Sequence, residues 1–82
     1  MYEHFYSPAA KQALEELQKA RKTFPPMQSA HEGWAVLYEE VCELWDEVRN
    51  NKGDETEYKT RMFKEAQQVA AMAIAFMAEV CL

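Results

Sequence analysis

The sequence predicts an all-α chain, a bundle of about three helices whose four-helix-bundle-like core is completed by oligomerisation. Three observations predict it. Glycine and proline are confined to Gly33, Gly53, Pro8, Pro25 and Pro26. Between these breakers, apolar residues recur at steps of three and four. No stretch carries a convincing strand signal. The 82 residues are read as one domain, 1–82. A chain this short buries only about 60% of the surface its unfolded form exposes, so a core of its own is marginal.

The first helix is expected over about 8–23. Ser7-Pro8 reads as an N-cap followed by proline at the first helical position. Ala10, Ala13, Leu14, Leu17 and Phe24 then keep a helical period up to Pro25-Pro26.

The second helix follows a capping box, Ser29-Ala30-His31-Glu32, in which Ser29 caps and Glu32 reaches back. Trp34, Leu37, Val41, Leu44 and Val48 form its apolar stripe as far as Arg49. On this basis Trp34 and the neighbouring Trp45 are expected in the core. Asn50 to Gly53 is a polar turn, and Asp54 or Thr56 is placed to cap the third helix.

The third helix meets no breaker before Leu82. Ala66 to Ala78 carries no charge, and Val69 to Ala78 is apolar on every side. Such a helix is buried all round, and two neighbours cannot cover it. A second subunit is therefore expected to pack there.

Composition narrows the function. Fourteen acidic residues against nine basic ones give a net charge of −5, which argues against a nucleic-acid polymer as partner. A transcription-associated helical protein is disfavoured further by the missing basic recognition helix. No apolar run reaches the roughly 18 residues that span a bilayer. The start of the chain lacks the basic and apolar regions of a signal peptide. A soluble, cytoplasmic protein with no membrane partner is expected. Cys42 and Cys81 match no disulfide framework or zinc spacing and read as small buried residues. There is no nucleophile constellation and no glycine-rich phosphate loop.

The charge is concentrated. Between Ala30 and Arg49 stand Glu32, Glu39, Glu40, Glu43, Asp46 and Glu47 against Arg49 alone. With Glu40 at zero and about 100° per residue, the apolar stripe falls between about 40° and 120°. Glu47, Glu43, Glu32 and Glu39 fall between about −20° and −100°. The glutamates thus form a stripe beside the apolar seam, with Glu40 closest to it. Glu39–Glu43 and Glu43–Glu47 are like-charged i,i+4 pairs, each costing a few tenths of a kcal/mol. A solvated stabilising face would interleave lysine or arginine, and a divalent cation would turn the repulsion into attraction.

On the third helix, Tyr58, Met62, Val69, Met72 and Phe76 lie within about 60° of Glu65. Glu65 therefore points into an apolar face, where a carboxylate needs a basic partner or a metal. Glu40-x-x-Glu43 and Glu65-x-x-Gln68 each place two oxygen ligands one turn apart. Two such pairs on antiparallel helices suit Mg²⁺, which keeps waters and takes further ligands from phosphates.

Glu39-Glu40-Val41-Cys42-Glu43-Leu44, followed by Glu65-Ala66-Gln67-Gln68, resembles the MazG-like all-α nucleoside triphosphate pyrophosphohydrolases. Their pattern is Glu-Glu-x-x-Glu and then Glu-x-x-Asp. His31 to Leu37 resembles short, phage-like members, and the resemblance spans about Ser29 to Phe76. It implies that Glu40, Glu43 and Glu65 ligate Mg²⁺, with Mn²⁺ a possible substitute. Gln68 stands where the family has aspartate; its amide oxygen can ligate, but a negative charge is missing.

The resemblance further implies hydrolysis of an NTP or dNTP to the monophosphate and pyrophosphate. Glu39 is placed as base or outer-shell ligand. His31, Trp34, Arg61 and Lys64 are candidates for contact with substrate. Fuller family members place substrate groups beyond this helix, so here they would come from another subunit of a homodimer or homotetramer. The alternative reading is a catalytically weakened oligomerisation or regulatory module that keeps the fold and holds a structural cation.

Overall fold

The computed structural model describes all 82 residues as three helices with no strand. They are α1 (Glu3–Ala20), α2 (Ala30–Arg49) and α3 (Glu55–Phe76), whose last turn widens into π geometry over Met77–Cys81. The all-α expectation holds, and no helix is long and apolar enough to cross a membrane.

The caps of α2 and α3 follow from local chemistry. Ser29 Oγ accepts the Glu32 N–H at 3.1 Å, satisfying one of the donors that a helix start leaves free. The Glu32 carboxylate reaches back one residue further than expected, to the Gln28 N–H at 3.2 Å. Asp54, not Thr56, caps α3 by accepting the Glu57 N–H at 2.9 Å. Gly53 stands just before it with φ +85°, which a glycine adopts without strain.

The start of α1 corrects the sequence reading. Ser7 is not a cap: the helix begins at Glu3, and Pro8 lies inside it. Pro8 lacks the N–H that would bond the His4 carbonyl. Residues 1–12 are solvent exposed, so water can satisfy that carbonyl. At the other end the helix stops at Ala20, three residues early. The chain leaves through tight turns in which the Thr23 and Phe24 N–H groups both reach the Ala20 carbonyl.

Helix α3 is the centre of the molecule, and both other helices pack on it. Tyr58 donates to the Val48 carbonyl and Arg61 meets Glu47, while a methyl at Gly33 would touch Phe76. α2 therefore runs antiparallel to α3. Gln67 reaches the Gln12 carbonyl, Gln68 reaches Glu16, and Arg21 reaches Glu79. Hence α1 runs parallel to α3.

The core lies at one end of the bundle. Leu17, Met27, Ala71, Met72 and Ala75 are buried there, with Val36, Leu37, Ile74, Phe76 and Val80 packed around them. Only seven of 82 residues are buried. So thin a core contributes little of the burial a stable domain needs.

Several residues expected inside are not. Trp34 and Trp45 are 59% and 58% exposed. Cys81 is exposed and Cys42 half-buried. α3 is covered on two sides only: Ala71, Met72 and Ala75 are buried, whereas Ala70, Met77 and Ala78 face out. The cause is the rotation of α2. Its covered residues apart from Cys42, namely Gly33, Val36, Leu37, Glu40, Leu44 and Glu47, span about −40° to +60° with Glu40 at zero. The seam is thus centred near Glu40. Trp34, Tyr38, Val41, Trp45 and Val48 are left uncovered.

Candidate metal centre

That rotation puts Glu40 opposite Glu65. On α3, the half-buried Tyr58, Arg61, Met62, Val69 and Phe76 and the buried Met72 lie between about −40° and +60° of Glu65. Both glutamates therefore occupy the middle of one seam. Glu43, one turn on from Glu40, joins them. One carboxylate oxygen from each of Glu40, Glu43 and Glu65 lies within 4.8 Å of the others.

No basic side chain pairs with these three. The ion pairs of the chain are Arg21–Glu79, Arg49–Asp46, Lys59–Glu55, Arg61–Glu47 and the N-terminus with Glu3. Glu40 Oε2 is buried and has no hydrogen-bond partner, which leaves a polar atom at its full desolvation cost. Burial, and next the charge of Glu43, push the Glu40 carboxyl up to about 7; Glu65 and Glu39 add to this. Glu65 is raised as well, by burial first and then by the charges of Glu43 and Glu47, with Lys64 acting weakly the other way.

A cation fits this arrangement. The donors are all carboxylate oxygens, the ligands preferred by hard divalent ions. Glu40, Glu43 and Glu65 would hold it, their donor oxygens already lying within 4.8 Å of one another. Three protein ligands would leave positions for water and phosphate oxygens. The ion would also offset the repulsion that raises both carboxyls.

The other expected site residues divide. Glu39 is exposed, and its charge bears on Glu40. Lys64 is exposed beside Glu65. His31 and Trp34 line a shallow, open depression with Ala30 and Phe76, and Trp34 leans against Tyr38 with ring centroids 5.7 Å apart. A second open depression, at Thr56, Lys59, Thr60 and Phe63, lies on another face of α3.

Arg61 is held at the end of α2. Its guanidinium donates to Glu47 Oε1 at 3.2 Å and to the Asn50 and Lys52 carbonyls at 3.1 and 2.6 Å. These carbonyls lie just past the C-terminal end of α2, where a cation is favoured.

Gln68 stands one turn from Glu65, but its amide nitrogen is turned to α1. It donates to Glu16 Oε1 at 2.6 Å. Glu16 was not foreseen at the site. The available signal was its place on the α1 wheel, about 60° from Ala13 and so beside the face that packs on α3. Arg21 and Glu79 were also unforeseen. They form a two-pronged ion pair, both distances 2.6 Å, and Glu79 accepts the Met27 N–H as well.

Comparisons with protein-family models, with curated proteins and with solved structures give no match for this chain.

Proposed function

We propose that the chain is a Mg²⁺-dependent nucleoside triphosphate pyrophosphohydrolase of MazG-like type. The observation that carries this reading is the unpaired trio of Glu40, Glu43 and Glu65, with a buried carboxylate oxygen that nothing in the chain satisfies. A bound divalent cation would neutralise phosphate charge and make a water more acidic. Glu40 and Glu65 would hold the ion from opposite helices, and Glu43 from the exposed side of α2. Glu39, one residue before Glu40 and exposed, accepts a proton from the attacking water. Water adds at the α-phosphorus, the bond to the bridging oxygen breaks, and pyrophosphate leaves. Lys64 offers a positive charge to the phosphates beside Glu65. His31 and Trp34 offer an open aromatic ledge for a base.

A homodimer or homotetramer belongs to the same reading. The exposed Trp34, Tyr38, Val41, Trp45 and Val48 of α2, and Phe63, Ala66, Ala70 and Met77 of α3, fall on one side of the antiparallel hairpin. The acid stripe falls on the other. Two hairpins joined through these faces make a four-helix bundle and leave both acid stripes open. Such a patch on a small chain marks an interaction surface.

A second reading is a helical oligomerisation or regulatory module with weakened catalysis. One observation favours it: Arg61 is committed to the end of α2. The test is pyrophosphate release from a panel of NTPs and dNTPs with Mg²⁺ or Mn²⁺, comparing wild type with Glu40→Ala. Turnover that disappears in the variant is the expected result. Absence of turnover in the wild type on every nucleotide would favour the module.

A further inference from the structure

We infer that Glu16 of α1 is a positioning residue for the cation centre, holding Gln68 as an oxygen donor to the ion bound by Glu40, Glu43 and Glu65. This rests on the metal-centre reading and adds to it a residue from the one helix that carries none of the three carboxylates.

An amide has one end that donates and one that accepts, and only the accepting end can ligate a cation. Gln68 Nε2 lies 2.6 Å from Glu16 Oε1 in a part-buried setting. The reverse orientation would put two carbonyl-type oxygens at that distance, so the contact with Glu16 fixes which way the amide points. On the α3 wheel, Gln68 sits about 60° from Glu65 and about 60° from Ala71. It therefore lies between the α2-facing and α1-facing sectors. With its nitrogen committed to α1, the carbonyl oxygen is the end left for the Glu65 side.

The register of this contact is held independently. The two-pronged Arg21–Glu79 pair and the Gln67 bond to the Gln12 carbonyl fix α1 along α3 on either side of Glu16. Residues that orient ligands in this way are worth about 10- to 100-fold in metal affinity. Docking of α1 and cation binding are then coupled, each favouring the other.

The experiment is Mn²⁺ binding by calorimetry and by loss of the free-ion paramagnetic resonance signal, with no nucleotide present. The proteins are wild type, Glu16→Ala, Gln68→Glu and the double variant, each also melted in EDTA. Glu16→Met, which keeps the apolar stem, replaces Glu16→Ala if the alanine variant does not fold. The expected result is about tenfold weaker Mn²⁺ binding on losing Glu16 in the wild-type background. In the Gln68→Glu background the loss has no effect or tightens binding, because a carboxylate needs no orienting and is freed from a like charge. Equal weakening in both backgrounds would make Glu16 a bare charge and overturn the proposal. A lower melting temperature with unchanged affinity would make it a packing residue and overturn the proposal too. A wild type that binds no Mn²⁺ would remove the metal centre itself, and this inference with it.

Discussion

Glu40 of α2 and Glu65 of α3 face each other across the middle of one helix–helix seam, with carboxylate oxygens no more than 4.8 Å apart and no ion-pair partner for either. Like charges at this separation repel, and partial burial adds a desolvation cost. The seam is therefore less stable without a cation than its apolar residues would make it.

Removing one charge relieves that cost. Glu40→Gln is expected to stabilise the metal-free protein at pH 8 by about 1 kcal/mol after allowance for solvent screening, or about 4–8 °C in melting temperature. Melting followed by circular dichroism in EDTA and in Mg²⁺ checks this. The wild type should gain from Mg²⁺ and the variant should not; a wild type indifferent to Mg²⁺ rules the idea out.

The same carboxyl sets a pH dependence. Folding raises Glu40 from an ordinary 4.5 to about 7, against the surrounding charges of Glu43, Glu65 and Glu39. Glu65 moves the same way among Glu43, Glu47 and Lys64. A raised carboxyl binds its proton more tightly in the folded state, so this contribution is full below about 4.5 and is lost as pH rises through about 7. Glu79 has the opposite sign: Arg21 lowers it, and its contribution is lost on acidification. Urea unfolding in EDTA is expected to show stability falling between about pH 5 and pH 8. With Mg²⁺ the fall should flatten, since the ion displaces the proton. A slope that Mg²⁺ leaves unchanged would place the titration elsewhere.

Arg21 and Glu79 hold the C-terminal end of α1 to that of α3, with side chains only 20% and 17% exposed. Glu79→Ala leaves Arg21 without its partner and the Met27 N–H without its acceptor. We expect a loss of about 2 kcal/mol, toward the low end for buried pairs because some solvent reaches this one. Arg21→Met with Glu79→Leu is expected to recover part of it. Urea titration of the three proteins decides whether the pair or its packing matters.

Gly33 lies where α2 crosses Phe76. A methyl there would stand 2.8 Å from Phe76 Cδ2 and 3.0 Å from Met27 Sδ. Alanine improves helix propensity by about 1 kcal/mol, but overpacking costs about 1–3 kcal/mol. Gly33→Ala is expected to destabilise by about 1 kcal/mol net, and Phe76→Leu to relieve it. A more stable single variant would show that the Phe76 ring gives way freely.

The uncovered face of the hairpin gives the last test. Trp45→Glu puts a charge in the middle of the exposed α2 stripe, far around the helix from Glu40. Sedimentation is expected to show the wild type as a dimer or tetramer at micromolar concentration and the variant shifted to monomer. A wild type that sediments as a monomer argues against a bundle of two hairpins.

The sequence by itself determined the three helices, the Ser29 cap, the polar turn at Gly53 and the pairing of Glu40 with Glu43 on one side of α2. All of these rest on local spacing: a cap needs a side chain three residues from an N–H, and a helix wheel places i and i+3 together. Only the tertiary structure decided the rotation of α2. The apolar stripe and the acid stripe abut on one wheel, so periodicity allows the seam to centre on Leu37 and Val41 or on Glu40. Packing against Val69, Met72 and Phe76 of α3 settled on Glu40, with Trp34 and Trp45 turned outward. The early start of α1 was hidden because Pro8 reads as a boundary, although exposed backbone tolerates it. Glu16 on Gln68, Arg61 at the end of α2 and Glu79 on Arg21 join residues 9 to 58 positions apart. Such contacts depend on how the helices are laid against one another, which no spacing along the chain encodes.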